Sequence, residues 1–225
     1  MLSVIIPVFN EEPEIEDCLR SISLLSSAIK IEVVVADGGS TDRTRKRVAF
    51  SPEVKWILSQ KGRGNQMNRG AVLASGDILL FLHADCRLPS DTYQLIQRAL
   101  QDPEVVGGFF QARLDHPDFR FKLSSILLNL RANCTYGATG DQGIFVRKEV
   151  FQAMGGYADL PLFEDLHLMR RLKKRGRIAV IASPIRISPR RWLRKGYLKT
   201  HLLMWGLRLL YLAGVSPGRL AAFYR

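Results

Sequence analysis

The chain has 225 residues, 47% of them hydrophobic, and a net charge of +12 at pH 7. That is enough apolar surface to bury a full core and excludes a disordered or fibrous chain. Cys18, Cys86 and Cys134 lack the close paired spacing of a zinc or redox motif and read as thiols of a reducing compartment.

The first segment, Leu2 to Ile6, opens directly as a buried strand. It lacks the basic leader and long apolar core of a secretory signal, so a cytoplasmic protein is expected. Further apolar runs follow at 33–36, 54–58, 78–82, 144–146 and 178–181, with helix-length stretches at 12–25, 41–50, 65–74 and 90–100 between several of them. Strand alternating with helix predicts an α/β domain around a mostly parallel sheet. Asn10 reads as the N-cap of the first helix, with Glu11, Glu12 and Glu14 favoured by its dipole, and Ser90-Asp91 repeats that pattern. In such sheets ligands gather beyond the carboxyl ends of the strands. The segments there, 7–11, 37–42, 60–65 and 83–86, are rich in Asp, Asn, Gly and Arg.

Each polar cluster has a plain and a functional reading. The stretch from Asp37 to Asp42 is a strand-to-helix turn, or a site where Asp37 accepts a hydrogen from a base or ribose. Residues 61–70 form a basic loop entering a helix, or a cradle in which Arg63 and the helix N-terminus neutralise an anion. Asp85, straight after an apolar run, is a solvated turn or a ligand for a hard cation that bridges phosphates. Glu164-Asp165 at a helix start are dipole-favoured acids, or place Asp165 as a general base.

Taken in order, Ser3–Glu12, Val33–Asp42, Gly62–Asn65, Phe81–Cys86, Gly140–Arg147, Phe163–Leu172 and Arg190-Arg191-Trp192 resemble the motifs of family 2 glycosyltransferases. The resemblance is strongest to a short bacterial subgroup, some of whose members are named by similarity as carotenoid-acid (diaponeurosporenoate-type) glycosyltransferases. It implies a GT-A fold over residues 1–192 and inverting transfer from a nucleotide-diphosphate sugar. It also implies that Pro7, Phe9 and Glu11 line a nucleoside pocket, Asp37 pairs with the base, and Arg63 and Asn65 lie near the donor phosphates. Asp85 matches the last acid of an Asp-X-Asp metal motif, Asp165 (with Glu164 beside it) the catalytic base, and Arg191-Trp192 the end of a Gln-X-X-Arg-Trp motif. Asp141 and Gln142 match positions near the transferred sugar or acceptor. Three positions depart from the pattern: Gly38 stands where a second Asp is common, His83 replaces the first acid of the metal motif, and Ser188 replaces the Gln. A neutral His83 suits manganese better than magnesium, or hydrogen-bonds the donor instead.

Residues 166–225 hold 15 Lys and Arg and no acid, whereas residues 1–165 hold 18 basic against 21 acidic residues. Such a tail attracts any anionic partner; without a helix-turn-helix, zinc or stacking motif, nucleic acid is not expected. Residues 193–225 read as a basic amphipathic helical extension. Its apolar stretch from Leu202 is about 14 residues long, against about 20 for a spanning helix. It therefore suits a membrane interface at the cytoplasmic side, with a lipid or carotenoid-like acceptor, or packing on protein. The leucines at 123, 127, 128 and 130, with Ile126, have helix-like spacing and fit a core face or an apolar acceptor groove. The alternatives carried are an inactive sugar-nucleotide-binding protein and a nucleotidyltransferase.

Overall fold

A strand apolar on both faces must lie inside a sheet covered on both sides. The first strand obeys this: in the structure, a computed structural model describing residues 1–26 and 30–224, β1 (Leu2–Val8) is buried along its whole length. Its neighbours β2 (Ile31–Asp37) and β4 (Ile78–Phe81) run parallel to it, and β3 (Lys55–Leu58) extends the parallel set beyond β2. On the far side of β4 the sheet continues through β7 (Ile144–Arg147), β6 (Val105–Leu114), β8 (Arg177–Ile187) and the short β5 (Cys86–Arg87). β7 pairs antiparallel with β4 and β6, and β5 antiparallel with β8, so the other strands all point one way.

The period-2 alternation of β1 divides the core into two layers. Leu2, Val4, Ile6 and Val8 pack in one cluster with Ile15 and Ile22 of α1 (Ile15–Ser26), while Ile5 packs on the opposite face. There it meets Met67 of α3 (Arg63–Leu73) and Leu168 of α7 (Glu164–Leu172). The remaining helices are α2 (Thr44–Val48), α4 (Thr92–Ala99), α5 (Phe119–Thr135) and α6 (Lys148–Ala153), followed by α8 (Arg190–Lys195), α9 (Tyr197–Leu212) and α10 (Pro217–Tyr224).

Every apolar run marked in the sequence is a strand, but β6 was not among them. Near its start it carries Gly107-Gly108, which reads as a turn, whereas in the sheet a Cβ at Gly108 would lie 2.3 Å from the Ala179 carbonyl oxygen. The pair is there for close approach of neighbouring strands. Two capping expectations need correction. Asn10 is left-handed (φ 57°), not the extended conformation an N-cap adopts, and its Oδ1 accepts from Thr41 N at 2.8 Å. It caps the turn after β2, and α1 starts later, after a turn in which the N–H groups of Glu14 and Ile15 both donate to the Glu11 carbonyl. Asp91 makes no side-chain bond to α4; Thr92 Oγ1 instead donates to the Pro89 carbonyl at 2.6 Å.

The C-terminal residues fold back over the domain. Ser124 Oγ of α5 lies 2.6 Å from Tyr197 Oη and 2.9 Å from His201 Nε2 of α9, and Phe163 stacks on Tyr211 with ring centres 4.7 Å apart. Leu162, Leu207 and Leu220 form a small core of their own beneath α9 and α10. Arg225, the end of the predicted extension, lies outside the described residues. Among the described residues no helix is long and apolar enough to cross a membrane.

One polar side chain holds the carboxyl edge of the sheet together. The buried amide of Gln66 donates from Nε2 to the Val8 and Ala36 carbonyls, each at 2.8 Å, tying the ends of β1 and β2 to α3. Gln66→Leu removes both bonds while keeping the volume. We expect it to lower stability by about 2–3 kcal/mol, read as a lower urea midpoint with unchanged m value.

Candidate active site

Sheet register decides which loops meet. Because β7 runs against β4 with Ile144 opposite Phe81, the 3₁₀ turn Gly140–Gln142 preceding it lies beside the segment leaving β4. Ile187, at the end of β8, pairs with Cys86, and Ser188 N donates to the Asp85 carbonyl at 2.9 Å. Residues 83–86, 139–142 and 188–192 are thus gathered at one rim, and the start of α7 faces them. Together they line a cavity of about 370 Å³ whose polar residues include Arg63, His83, Asp85, Asp141, Glu164, Asp165 and Arg191. Helices α5 and α9 contribute an apolar wall that includes Leu123, Leu127, Leu198, Met204 and Trp205, with Trp192 of α8 nearby.

Phe163 in left-handed conformation (φ 65°) starts α7, and both acids that follow are buried. Asp165 Oδ2 accepts from Gly140 N at 2.8 Å, while Oδ1 is buried with no hydrogen-bond partner of good geometry among the described residues, the Tyr157 hydroxyl being near the carboxyl. Burial, with the charge of Glu164 beside it, holds the Asp165 carboxyl well above the usual carboxylate range despite Arg63 nearby. Glu164 pairs with Arg63 at 3.7 Å. Across the cavity, His83 Nε2 is also buried and unpartnered. It lies against Gly140, where a Cβ would come within 2.2 Å of it, so this turn needs a glycine. Burial, then the charge of Arg63, lowers the His83 pKa. Burial raises the Asp85 carboxyl, opposed by His83 and reinforced by Asp141, and it accepts from Cys86 Sγ at 3.5 Å.

The remaining expected residues divide. Phe9 is 37% exposed at the rim with Lys61 Nζ 3.6 Å from its ring centre, and Glu11 pairs with Arg190 at 2.6 Å. Asp37 is buried, its carboxylate accepting from Ser40 N at 3.0 Å and from Ser40 Oγ at 2.5 Å. Pro7 is enclosed within β1, opposite Ala36. Asn65 does not line the cavity: Nδ2 donates to Asp159 Oδ1 at 3.0 Å. Gln142 is fully buried, its amide directed at the Phe110 carbonyl (3.3 Å) and accepting from Thr139 N (3.3 Å), so it braces the turn and Asp141 alone lines the cavity.

Tyr224 was not foreseen. Its hydroxyl hydrogen-bonds Arg191 Nη1, and its ring lies beneath the guanidinium groups of Arg191 (4.2 Å) and Arg63 (5.9 Å). A phenol oxygen thus sits with the two cations expected to meet the donor phosphates. Nothing local marks a tyrosine 33 residues beyond Arg191 as its partner. Glu14 was read only as a helix-dipole acid. It accepts from Ser188 Oγ at 2.7 Å and from Arg87 Nη2 at 2.7 Å, anchoring the segment before Arg191 on α1.

The sheet order, the polar rim at its carboxyl edge and the acids converging on one cavity define an α/β domain with its ligand site beyond the carboxyl ends of the strands. The family model described as "Glycosyl transferase family 2" matches residues 3–202, and the chain belongs to that family. It is 30% identical over 168 residues to an undecaprenyl-phosphate 4-deoxy-4-formamido-L-arabinose transferase of Pseudomonas aeruginosa (strain LESB58), covering 68% of this chain and 49% of that protein. The chain therefore spans about half the length of that relative. In fold it is similar to S. aureus TarS 1-349 (TM-score 0.66, 22% identity, 84% of this chain and 60% of that one). It is likewise similar to the mannosyltransferase PcManGT of Pyrobaculum calidifontis in complex with GDP-Man and Mn2+ (TM-score 0.62, 24% identity, 83% and 56%).

If the Tyr224 hydroxyl holds the arginines where an anion binds, removing it favours the anion. Tyr224→Phe is expected to bind inorganic pyrophosphate about tenfold more tightly by calorimetry, about what one charge-assisted hydrogen bond contributes. Weaker binding would make Tyr224 a ligand of the anion and not its competitor.

Proposed function

We propose that the protein transfers a glycosyl group, with inversion, from a nucleoside-diphosphate sugar to an oxygen of an apolar acceptor such as a lipid or carotenoid-like molecule. The observation that carries this reading is Asp165 Oδ1. It is a buried, unpartnered carboxylate oxygen on a cavity with an apolar wall on α5 and α9 and with Arg63 and Arg191 in its lining. The similarity to a Pseudomonas protein named an undecaprenyl-phosphate 4-deoxy-4-formamido-L-arabinose transferase supports an apolar acceptor.

In this reading Phe9 and Asp37 hold the nucleoside, and Arg63 and Arg191 face the diphosphate. For a hydroxyl acceptor, Asp165 removes the proton as the acceptor oxygen bonds to the anomeric carbon. The bond from that carbon to the diphosphate oxygen breaks, and its electron pair leaves with the nucleoside diphosphate. The arginines meet charge that grows in the transition state, so they speed the step as well as bind. A carboxylate acceptor would need no base.

Asp85 and His83 fit a divalent cation. Among the described residues, a carboxylate with no cationic hydrogen-bond partner stands two residues from an orphaned ring nitrogen, and an ion of this kind commonly completes its shell with substrate phosphates. Among the described residues no cluster of three such ligands exists, so Asp85 would be the main protein ligand. Manganese or magnesium bound there would supply charge neutralisation at the diphosphate. Exposed Leu198, Leu202 and Leu209 on α9, close in sequence to Arg194, Lys195 and Lys199, support peripheral contact of this helix with an anionic membrane face.

Asp165→Asn is expected to bind donor normally yet lose about 10²–10⁴-fold in transfer, measured as nucleoside-diphosphate release. Unimpaired turnover would remove Asp165 from the chemistry. Because a base acts deprotonated and this one is raised, the wild-type rate should climb with pH through a region above the usual carboxylate range. Asp85→Ala should abolish any gain in nucleoside-diphosphate affinity on adding manganese, read by calorimetry; a persisting gain would put the ion elsewhere.

A further inference from the structure

Two arginines beside the cavity, Arg208 buried and Arg131 half-buried, lack a counterion among the described residues. Arg131 of α5 lines the cavity among Leu127 and Leu128; its Nε is buried with no partner, and its Nη2 reaches only Gln142 Oε1 at 3.5 Å. Arg208 of α9 is 9% exposed, and its Nη2 reaches only the Gly137 carbonyl, also at 3.5 Å. Both contacts lie at the outer limit of a hydrogen bond. Among the described residues neither arginine has an acid within ion-pair distance, and Asp141 is the acid whose charge Arg131 feels from farther away. Arg87, by contrast, is bonded to Glu14 at 2.7 Å, and Arg147 donates to the Leu100 carbonyl at 2.7 Å.

Burying like charges together is costly. Burial first, then the charge of Arg131, pushes Arg208 down to about 10, still protonated at pH 7. A guanidinium does not escape by losing its proton, so the remaining way to offset the cost is an anion. The donor diphosphate already has Arg63 and Arg191. Arg131 belongs to the other wall, and the turn it reaches through Gln142 is the one whose Gly140 N–H binds Asp165.

We infer that Arg131 and Arg208 seat an anionic group, a phosphate or a carboxylate, carried by the apolar acceptor that enters between α5 and α9. The inference rests on the acceptor reading of this cavity and narrows its substrate class to anionic amphiphiles.

Trp192 and Trp205 line the cavity, so their fluorescence reports its occupancy. The probes are dodecyl phosphate, dodecanoate, dodecanol and inorganic phosphate, each below its micelle concentration. At least one anionic amphiphile should bind about tenfold more tightly than dodecanol, as expected for one charge-assisted bond, and more tightly than inorganic phosphate. A preference for dodecyl phosphate indicates a lipid phosphate and one for dodecanoate a carboxylic acid. Arg131→Met should erase the preference while leaving dodecanol and nucleoside-diphosphate affinities unchanged, and Arg131→Lys should keep part of it. If Arg131→Met does not fold, Arg208→Met is read in the same way. Equal binding of dodecanol and both anionic amphiphiles, or a preference intact in Arg131→Met, overturns the inference. Nucleoside diphosphate is titrated in parallel: anion preference without nucleotide binding leaves the seat standing and removes the transferase reading, and the converse removes the seat alone.

Discussion

The site hangs on the hydrogen bond from Gly140 N to Asp165 Oδ2. It joins the turn before β7 to the first turn of α7, two pieces of chain that no strand pairing connects. An acid buried this deeply needs a donor, and a backbone N–H supplies one without bringing a counter-charge that would keep the carboxylate weakly basic. The bond exists because β7 runs antiparallel beside β4 and so delivers residue 140 to the carboxyl edge. It is compatible with His83 because residue 140 has no side chain. Topology, a glycine and the imidazole packed against it are therefore conditions of one another here.

The basic excess of the C-terminal quarter, a single patch when read as composition, is several different things in space. Arg190 is structural, paired to Glu11 and Glu14. Arg191 enters the cavity and meets Tyr224. Arg171 donates to backbone carbonyls around residues 154–156. Arg208 is buried near Arg131. The remaining exposed cations on α8 and α9 stand beside leucines that face outward. Net charge says that anions are attracted; placement says at which points, and the cavity rim is one of them.

Much of the architecture was legible because it is written in short-range pattern. Apolar runs marked the central strands, and the polar segments after them marked the rim, since a parallel sheet exposes its carboxyl ends together. Asp85, Asp165, Arg63 and Arg191 all line the one cavity. Asn65 and Gln142 do not, for a reason no motif could reveal: an amide satisfies itself with whichever polar group is nearest, Asp159 for one and the Phe110 carbonyl and Thr139 N–H for the other. β6 went unread because Gly107-Gly108 signals a turn locally and close strand packing globally.

What local sequence decided, then, was the set of elements and the chemical kind of each rim, because hydrophobic period and helix-start acids act over a few residues. Tertiary structure alone decided which charges are paired and which are left free. Glu11 finds Arg190 across 179 positions of chain, and Glu14 finds Ser188 across 174. Arg131 and Arg208, with the same side chain, find no acid within ion-pair distance among the described residues. Ion pairing and burial depend on distances through space, and those are set only when the sheet, α5 and the C-terminal helices close around one cavity.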